Sequence, residues 1–347
     1  MIIKIFLKIF FALPTWILKC LTLQKKIIVN NQILDYQTQI FLGLLSLQNN
    51  SFEDPDSHDS VQDLREKVEN GRSDLPLNAK PREHIKTIDH CIEKDWGRLM
   101  VREYLPEKLQ SNTIILYFHG GGYVVSSVNT HDAWVKFLSS HLKARVFSLE
   151  YRLAPENKFP LALEDANSAI EWISKENNIP ISEISLCGDS AGGHLAASLS
   201  TYRSINNFEL PHSQCLIYPM TDPLCNSKSQ VEFSKGFFLG QNFMIWFWKQ
   251  LMASDNNHAD PTFNLTIDPD AALPKTLIIT VGFDPLCDEG EAYARQINNA
   301  GNYVEQIHYP HLIHGFVNLT ALNSAKIAAL DIICLLYTSP SPRDTRE

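Results

Sequence analysis

Short apolar runs alternate along this chain with longer segments whose apolar residues recur every three or four positions. The runs at 113–118, 145–149, 184–187, 276–281 and 303–309 are rich in Ile, Val, Leu, Phe and Tyr, and each reads as a strand. Between them lie helical patterns, among them the small-residue stretch 191–197 and a closing helix after Phe316. Strands alternating with helices predict an α/β fold with a mostly parallel central sheet flanked by helices. Two further segments have helical spacing. Residues 32–45 carry Ile33, Leu34, Ile40, Phe41, Leu44 and Leu45, and 236–248 is strongly aromatic. A helix that is apolar nearly all round needs burial or a ligand, so the second segment is expected to pack on one face and line a pocket with the other.

One junction in this pattern carries chemistry. Gly188-Asp189-Ser190-Ala191-Gly192 follows the strand 184–187 and opens the helix 191–197. A G-x-S-x-G sequence between strand and helix is what a nucleophile elbow requires. The two glycines relieve crowding across the sharp turn, Ser190 stands at its apex, and the helix N-terminus favours developing negative charge. Without that context the motif is an ordinary turn.

The rest of the chain supplies partners in a consistent order. The strand 113–118 runs into His119-Gly120-Gly121-Gly122-Tyr123. Acyl transfer needs preorganised donors for an oxyanion, and the amides of Gly121, Gly122 and Ala191 are the candidates; His119 reads as a brace for the loop. A serine hydroxyl also needs a histidine base, and the histidine needs an orienting carboxylate. Asp284 lies just beyond the strand 276–281, with Asp288 and Glu289 as alternatives better placed to open the next helix. His314, before Gly315-Phe316, is the preferred base; His311, expected in a loop after Pro310, is the alternative, and His308 falls within the strand. The segment Tyr151-Arg152-Leu153-Ala154-Pro155-Glu156 reads either as a polar brace near the site or as a solvated loop.

Taken together, 119–123, 151–156, 188–193, 284–290 and 314–316 resemble the bacterial hormone-sensitive-lipase-like esterases of the α/β-hydrolase superfamily, over about residues 34–333. The resemblance implies Ser190 as nucleophile, Asp284 as acid and His314 as base, with Gly121, Gly122 and Ala191 as oxyanion donors. It implies a carboxylesterase for short to medium acyl chains with no metal or organic cofactor, and a helical cap over the site. Tyr123, Asp189, Phe237, Phe238 and Trp246 are the expected pocket residues. His311 departs from the family pattern, where a glycine is more usual. The same machinery serves an amidase or deacetylase; other readings are a non-catalytic small-molecule receptor and a membrane-docked lipase. The family's edge-strand dimer would use 302–309 here.

Composition narrows the partners. The net charge of −9 argues against nucleic acid. Seven cysteines without a C-x-x-C give no disulfide framework and no structural zinc pattern. A cytoplasmic location follows, with export as the alternative. Residues 1–30 form an apolar and basic segment, in which 1–23 is apolar with Lys4, Lys8 and Lys19 near one helical stripe. They read as a basic helix lying on a membrane surface, as a helix packed on the cap, or as a secretory signal without a clear cleavage site. Residues 31–82 are expected to hold cap helices and a polar linker at 51–81, and 83–333 the catalytic domain with a cap insertion at about 222–262. Residues 334–347 resemble the translation of a sequencing-library adapter; a natural Ser/Pro-rich disordered tail is the alternative.

Overall fold

A computed structural model describes residues 25–46, 60–74, 77–110 and 113–338, with isolated positions at 11, 13, 17–19, 54 and 55. Most of the N-terminal segment, much of the linker at 51–81 and residues 339–347 lie outside the described residues. Within the described stretch 25–46 lies a two-stranded antiparallel ribbon, β1 (Ile28–Val29) and β2 (Gln32–Ile33). Helices α1 (Tyr36–Ser46) and α2 (Val61–Asp74) follow. Next come the hairpin β3 (Ile85–Lys94) and β4 (Gly97–Pro106), then β5 (Ile114–Phe118), α3 (Val128–Leu142), β6 (Arg145–Glu150) and α4 (Leu161–Asn177). The second half contains β7 (Ile184–Asp189), α5 (Ala191–Ile205), β8 (Ser213–Ile217), α6 (Lys228–Glu232) and α7 (Gln241–Leu251). It ends with β9 (Lys275–Phe283), α8 (Cys287–Asn299), β10 (Val304–Ile313) and α9 (Asn323–Thr338).

Eight strands form one sheet in the order β10-β9-β8-β7-β5-β6-β4-β3. The pairs from β10 to β6 are parallel, and β4 and β3 join antiparallel. Alternation along each buried strand builds two cores. Ile114, Leu116 and Phe118 of β5 face one side with Leu186, Leu216 and Ile278, where α4, α5 and α8 pack. Ile115 and Tyr117 face the other with Cys187, Cys215, Ile217 and Ile279, under α3 and α9. Strands covered on both faces must be apolar at nearly every position, which is why the sequence shows runs here and not alternation. Each fully buried Leu, Ile or Val contributes about 1.5–3 kcal/mol.

The structure adds and moves elements relative to the sequence reading. The β3–β4 hairpin and β8 have no counterpart there. β3 is an edge strand with alternate residues exposed, and its turn at Asp95-Trp96-Gly97 ends on a glycine with φ 136°. β10 runs on to Ile313 with a register break after Tyr309, so His311 lies in a strand and not in the expected loop. Among the described residues no helix is long and apolar enough to cross a membrane.

The start of α3 shows how polar groups fix the element that supports the glycine loop. Ser127 caps it, its hydroxyl accepting the Asn129 and Thr130 amides at 3.1 and 3.2 Å, and Thr130 Oγ1 accepts the Ser127 amide. The Val128 amide donates to Glu150 Oε2 at 2.8 Å. Burial pushes the Glu150 carboxyl up to about 7, against the pull of that amide and with the Glu69 charge adding to the rise. An unfolded chain ionises this group near the usual carboxylate range. The native state therefore holds a proton that the unfolded state has lost between about pH 4.5 and pH 7, and stability drains as pH rises through that window. Glu150→Gln is expected to match the wild type at pH 4 and to exceed it by up to about 3 kcal/mol at pH 8. Urea unfolding at both pH values measures this; a gap independent of pH would contradict it.

Candidate active site

The sharp turn after β7 places Ser190 with φ 56° and ψ −119°, a backbone state that L-residues rarely adopt. Its amide donates to the Ile217 carbonyl of β8 at 2.8 Å, and its carbonyl accepts the His194 amide at 3.0 Å. The turn closes only because Gly192 lacks a side chain: a Cβ there would stand 2.0 Å from the Phe118 carbonyl oxygen of β5. The turn at Ser190 and the strand leading into the glycine loop are thus in backbone contact.

Asp284 follows the last residue of β9 and is wholly buried. Its Oδ1 accepts the Leu286 amide at 2.9 Å, and its Oδ2 accepts His314 Nδ1 at 2.8 Å. His314 follows β10, beside Gly315 at φ 78°. Its Nε2 is 3.0 Å from Ser190 Oγ, and the Tyr218 ring lies 4.5 Å from the imidazole, centroid to centroid. With Nδ1–H committed to the carboxylate, Nε2 presents its lone pair to the serine hydroxyl. Three residues far apart in sequence therefore form one hydrogen-bonded chain.

The alternatives sit elsewhere. Asp288 accepts the Ser229 amide, and Glu289 accepts the Thr221 amide and the Gln230 side chain. Both carboxylates thus tie the segment 221–230 to α8. The carbonyl of His311 accepts the Asp35 amide, and the His308 ring contacts Thr280 and Gln32.

Asp189, next to Ser190, holds the glycine loop. Its Oδ1 accepts the Gly120 amide at 2.9 Å and the Tyr117 hydroxyl at 2.5 Å. Val124 and Val125 amides donate to the Gly121 carbonyl and curl the loop. Gly122 has φ 60°, and a Cβ there would meet the Phe247 ring at 2.2 Å, so α7 presses directly on the loop. His119 stacks on Tyr151 at 4.3 Å, and burial pushes its imidazole down to about 3, which keeps it neutral. The 151–156 segment is a brace rather than a solvated loop. Arg152 forks onto buried Asp165 over the Trp96 ring, and Arg65 of α2 binds Glu156 and the Val124 and Ala154 carbonyls.

A cavity of about 430 Å³ opens onto Ser190 and His314. Asp189, Gly121, Gly122 and Phe238 line it. Three expected pocket residues do not. Tyr123, at φ 64°, turns its ring inward, where its hydroxyl meets His194 Nδ1 at 2.6 Å. Phe237 packs on Phe233 and Phe283. On α7 the cavity face carries Met244 and Phe247, three apart, which leaves Trp246 on another face. The sequence reading also missed Leu64 and Val68 of α2, whose i,i+4 spacing was the available signal, and Asn318. Asn318 is buried at the cavity wall, and neither atom of its amide has a hydrogen-bond partner among the described residues.

A sequence model described as alpha/beta hydrolase fold matches residues 115–318. The chain belongs to this alpha/beta hydrolase family. The hydrolase is similar to a carboxylic ester hydrolase, LipN, of Mycobacterium tuberculosis, with 35% identity over 72% of this chain and 69% of the relative. It is 34% identical to an arylesterase of Saccharolobus solfataricus over 69% of this chain and 79% of that one. Among solved structures, the hyperthermophilic esterase of the archaeon Pyrobaculum calidifontis superposes with a TM-score of 0.78 at 31% identity, over 88% of this chain and 98% of that one.

The contact at Gly192 yields a direct test. Gly192→Ala in the hydrolase is expected to lower stability by about 1–3 kcal/mol and to reduce turnover, because the added methyl pushes α5 off β5. Thermal unfolding and steady-state rates measure both effects, and an unchanged melting temperature would contradict the packing described.

Proposed function

We propose that this carboxylic ester hydrolase works through an acyl-enzyme formed on Ser190. The observation that carries the reading is the hydrogen-bonded chain Ser190 Oγ–His314 Nε2 and His314 Nδ1–Asp284 Oδ2, at 3.0 and 2.8 Å, at the floor of the cavity. His314 takes the hydroxyl proton as Ser190 attacks the ester carbonyl, and Asp284 stabilises the imidazolium. The amides of Gly121, Gly122 and Ala191 receive the oxyanion. His314 then protonates the leaving alcohol, and water repeats the sequence to release the acid.

The relatives named for ester, arylester and ethyl acetate hydrolysis support small esters as substrates. We assign the apolar lining that includes Leu64, Val68, Leu239, Met244 and Phe247 to the acyl chain. Such a lining suits short to medium chains in a cavity of this volume. In this reading α1, α2 and the segment bearing α6 and α7 serve as the cap.

Ser190→Ala is expected to lower kcat by about a million-fold, with the melting temperature retained; turnover surviving within tenfold of wild type would remove the assignment. Met244→Ala is expected to shift the preferred ester toward longer acyl chains. A panel from acetate to decanoate reads this, and an unaltered profile would place the acyl chain elsewhere.

A further inference from the structure

Away from the cavity, α8 and β10 bring together three side chains that the hydrolytic reaction does not use. Cys287 and Glu291 are four residues apart on α8 and so share one face of the helix. His308 comes from β10, which pairs with β9 alongside. Cys287 Sγ lies 3.9 Å from Glu291 Oε1 and 4.0 Å from His308 Nδ1, and His308 Nδ1 lies 3.7 Å from Glu291 Oε1. All three donor atoms fall within 4.8 Å of one another. We propose that Cys287, Glu291 and His308 form a site for one zinc-class divalent cation, held by one sulfur, one nitrogen and one oxygen with solvent in the fourth position.

Ligands at zinc distances of about 2.0–2.3 Å in a tetrahedron stand about 3.3–3.6 Å apart. The observed separations of 3.7–4.0 Å exceed that by about half an ångström. The donor set is also chemically coherent. Thiolate and imidazole select zinc and its soft neighbours over calcium and magnesium. A thiolate and a carboxylate together neutralise a divalent charge, as a partly buried site requires. Cys287 is buried, while Glu291 and His308 are about 32% and 26% exposed at their side chains, which leaves an entry path from solvent.

Thr280 Oγ1, which accepts Gln306 Nε2 at 3.1 Å, lies 3.0 Å from His308 Nδ1. With its proton on Nε2, the imidazole offers the Nδ1 lone pair to a metal. The other ring nitrogen stands 3.2 Å from the Gln32 carboxamide, whose oxygen accepts that N–H once the amide is turned over. When the cation binds, the S–metal bond forms, the Cys287 thiol proton leaves to water, and the Thr280 hydroxyl yields its place on Nδ1.

The site would clamp the two segments that carry the acid and the base. Cys287 lies three residues after Asp284, and its amide donates to the Asp284 carbonyl at 3.2 Å. His308 lies six residues before His314 on the strand leading to it. An occupied site would therefore tie the start of α8 to β10 below the triad and stiffen both supports.

Cobalt(II) is the probe that reads the sulfur ligand directly, and the full chain carries Cys20→Ser, Cys91→Ser and Cys334→Ser, which removes the exposed thiols among the described residues and the one cysteine outside them. After chelator treatment and dialysis, this protein is expected to bind one cobalt per chain with a near-ultraviolet thiolate charge-transfer band, which zinc displaces stoichiometrically. Zinc is expected to raise the melting temperature. Adding Cys287→Ser should abolish the band, and adding Glu291→Gln or His308→Asn, each at a partly exposed position, should weaken binding by about tenfold or more. Absence of the band, its persistence in Cys287→Ser, or equal affinity in Glu291→Gln and His308→Asn would overturn the proposal.

Discussion

The contact of backbone with backbone where α5 leaves β7 governs much of this molecule. Gly192 can approach the Phe118 carbonyl only without a Cβ, and two residues before it Ser190 holds its unusual φ and ψ. Such strain persists because the surroundings over-determine it. Ser190 is pinned by the Ile217 carbonyl on one side and by the first turn of α5 on the other. The same junction sets the glycine loop, since β5 ends at Phe118 and Asp189 holds the Gly120 amide. Ser190 and the glycine loop are thus placed by one packing event, which leaves little freedom for their relative position to drift.

Asp284 and His314 reach this junction from the edge of the sheet. β9 and β10 are parallel neighbours, so the residues just beyond their C-terminal ends emerge side by side. Asp284 and His314 meet there, in the position where open α/β sheets collect ligands and catalytic groups. Two helices close on the loop from the opposite direction. Phe247 presses on Gly122, and Arg65 ties α2 to the carbonyls of Val124 and Ala154. The loop is clamped between a strand below and two helices above, which suits donors that must be in place before charge develops.

The residues of the candidate site were legible because their signals are contiguous or ordered. A strand, a tight glycine turn and a helix can be read from adjacent residues, and the order of Ser190, Asp284 and His314 limits the alternatives. The parallel strands were legible for a physical reason too, since burial on both faces leaves uninterrupted apolar runs. The β3–β4 hairpin was not, because an edge strand half open to water writes a weaker pattern. His311 was misplaced because Pro310 reads as a strand terminator, whereas an edge strand tolerates proline. Side-chain direction was the least legible feature. Tyr123 turns inward through a positive φ, and Trp246 differs from Phe247 only by its angle around α7. Neither choice is visible without knowing what each segment packs against. The Cys287, Glu291 and His308 cluster was hidden likewise, since strand pairing brings its histidine to the helix.

The central claim is that the Ser190 hydroxyl, activated by His314, becomes covalently acylated. Acid quenching during turnover of a slowly deacylating ester, followed by peptide mass spectrometry, tests this most directly. The account predicts one acyl group per chain, on the peptide containing Ser190, and none when His314 is replaced by alanine. An acyl group on any other residue, or rapid turnover with no trapped adduct under conditions where deacylation is rate-limiting, would contradict it.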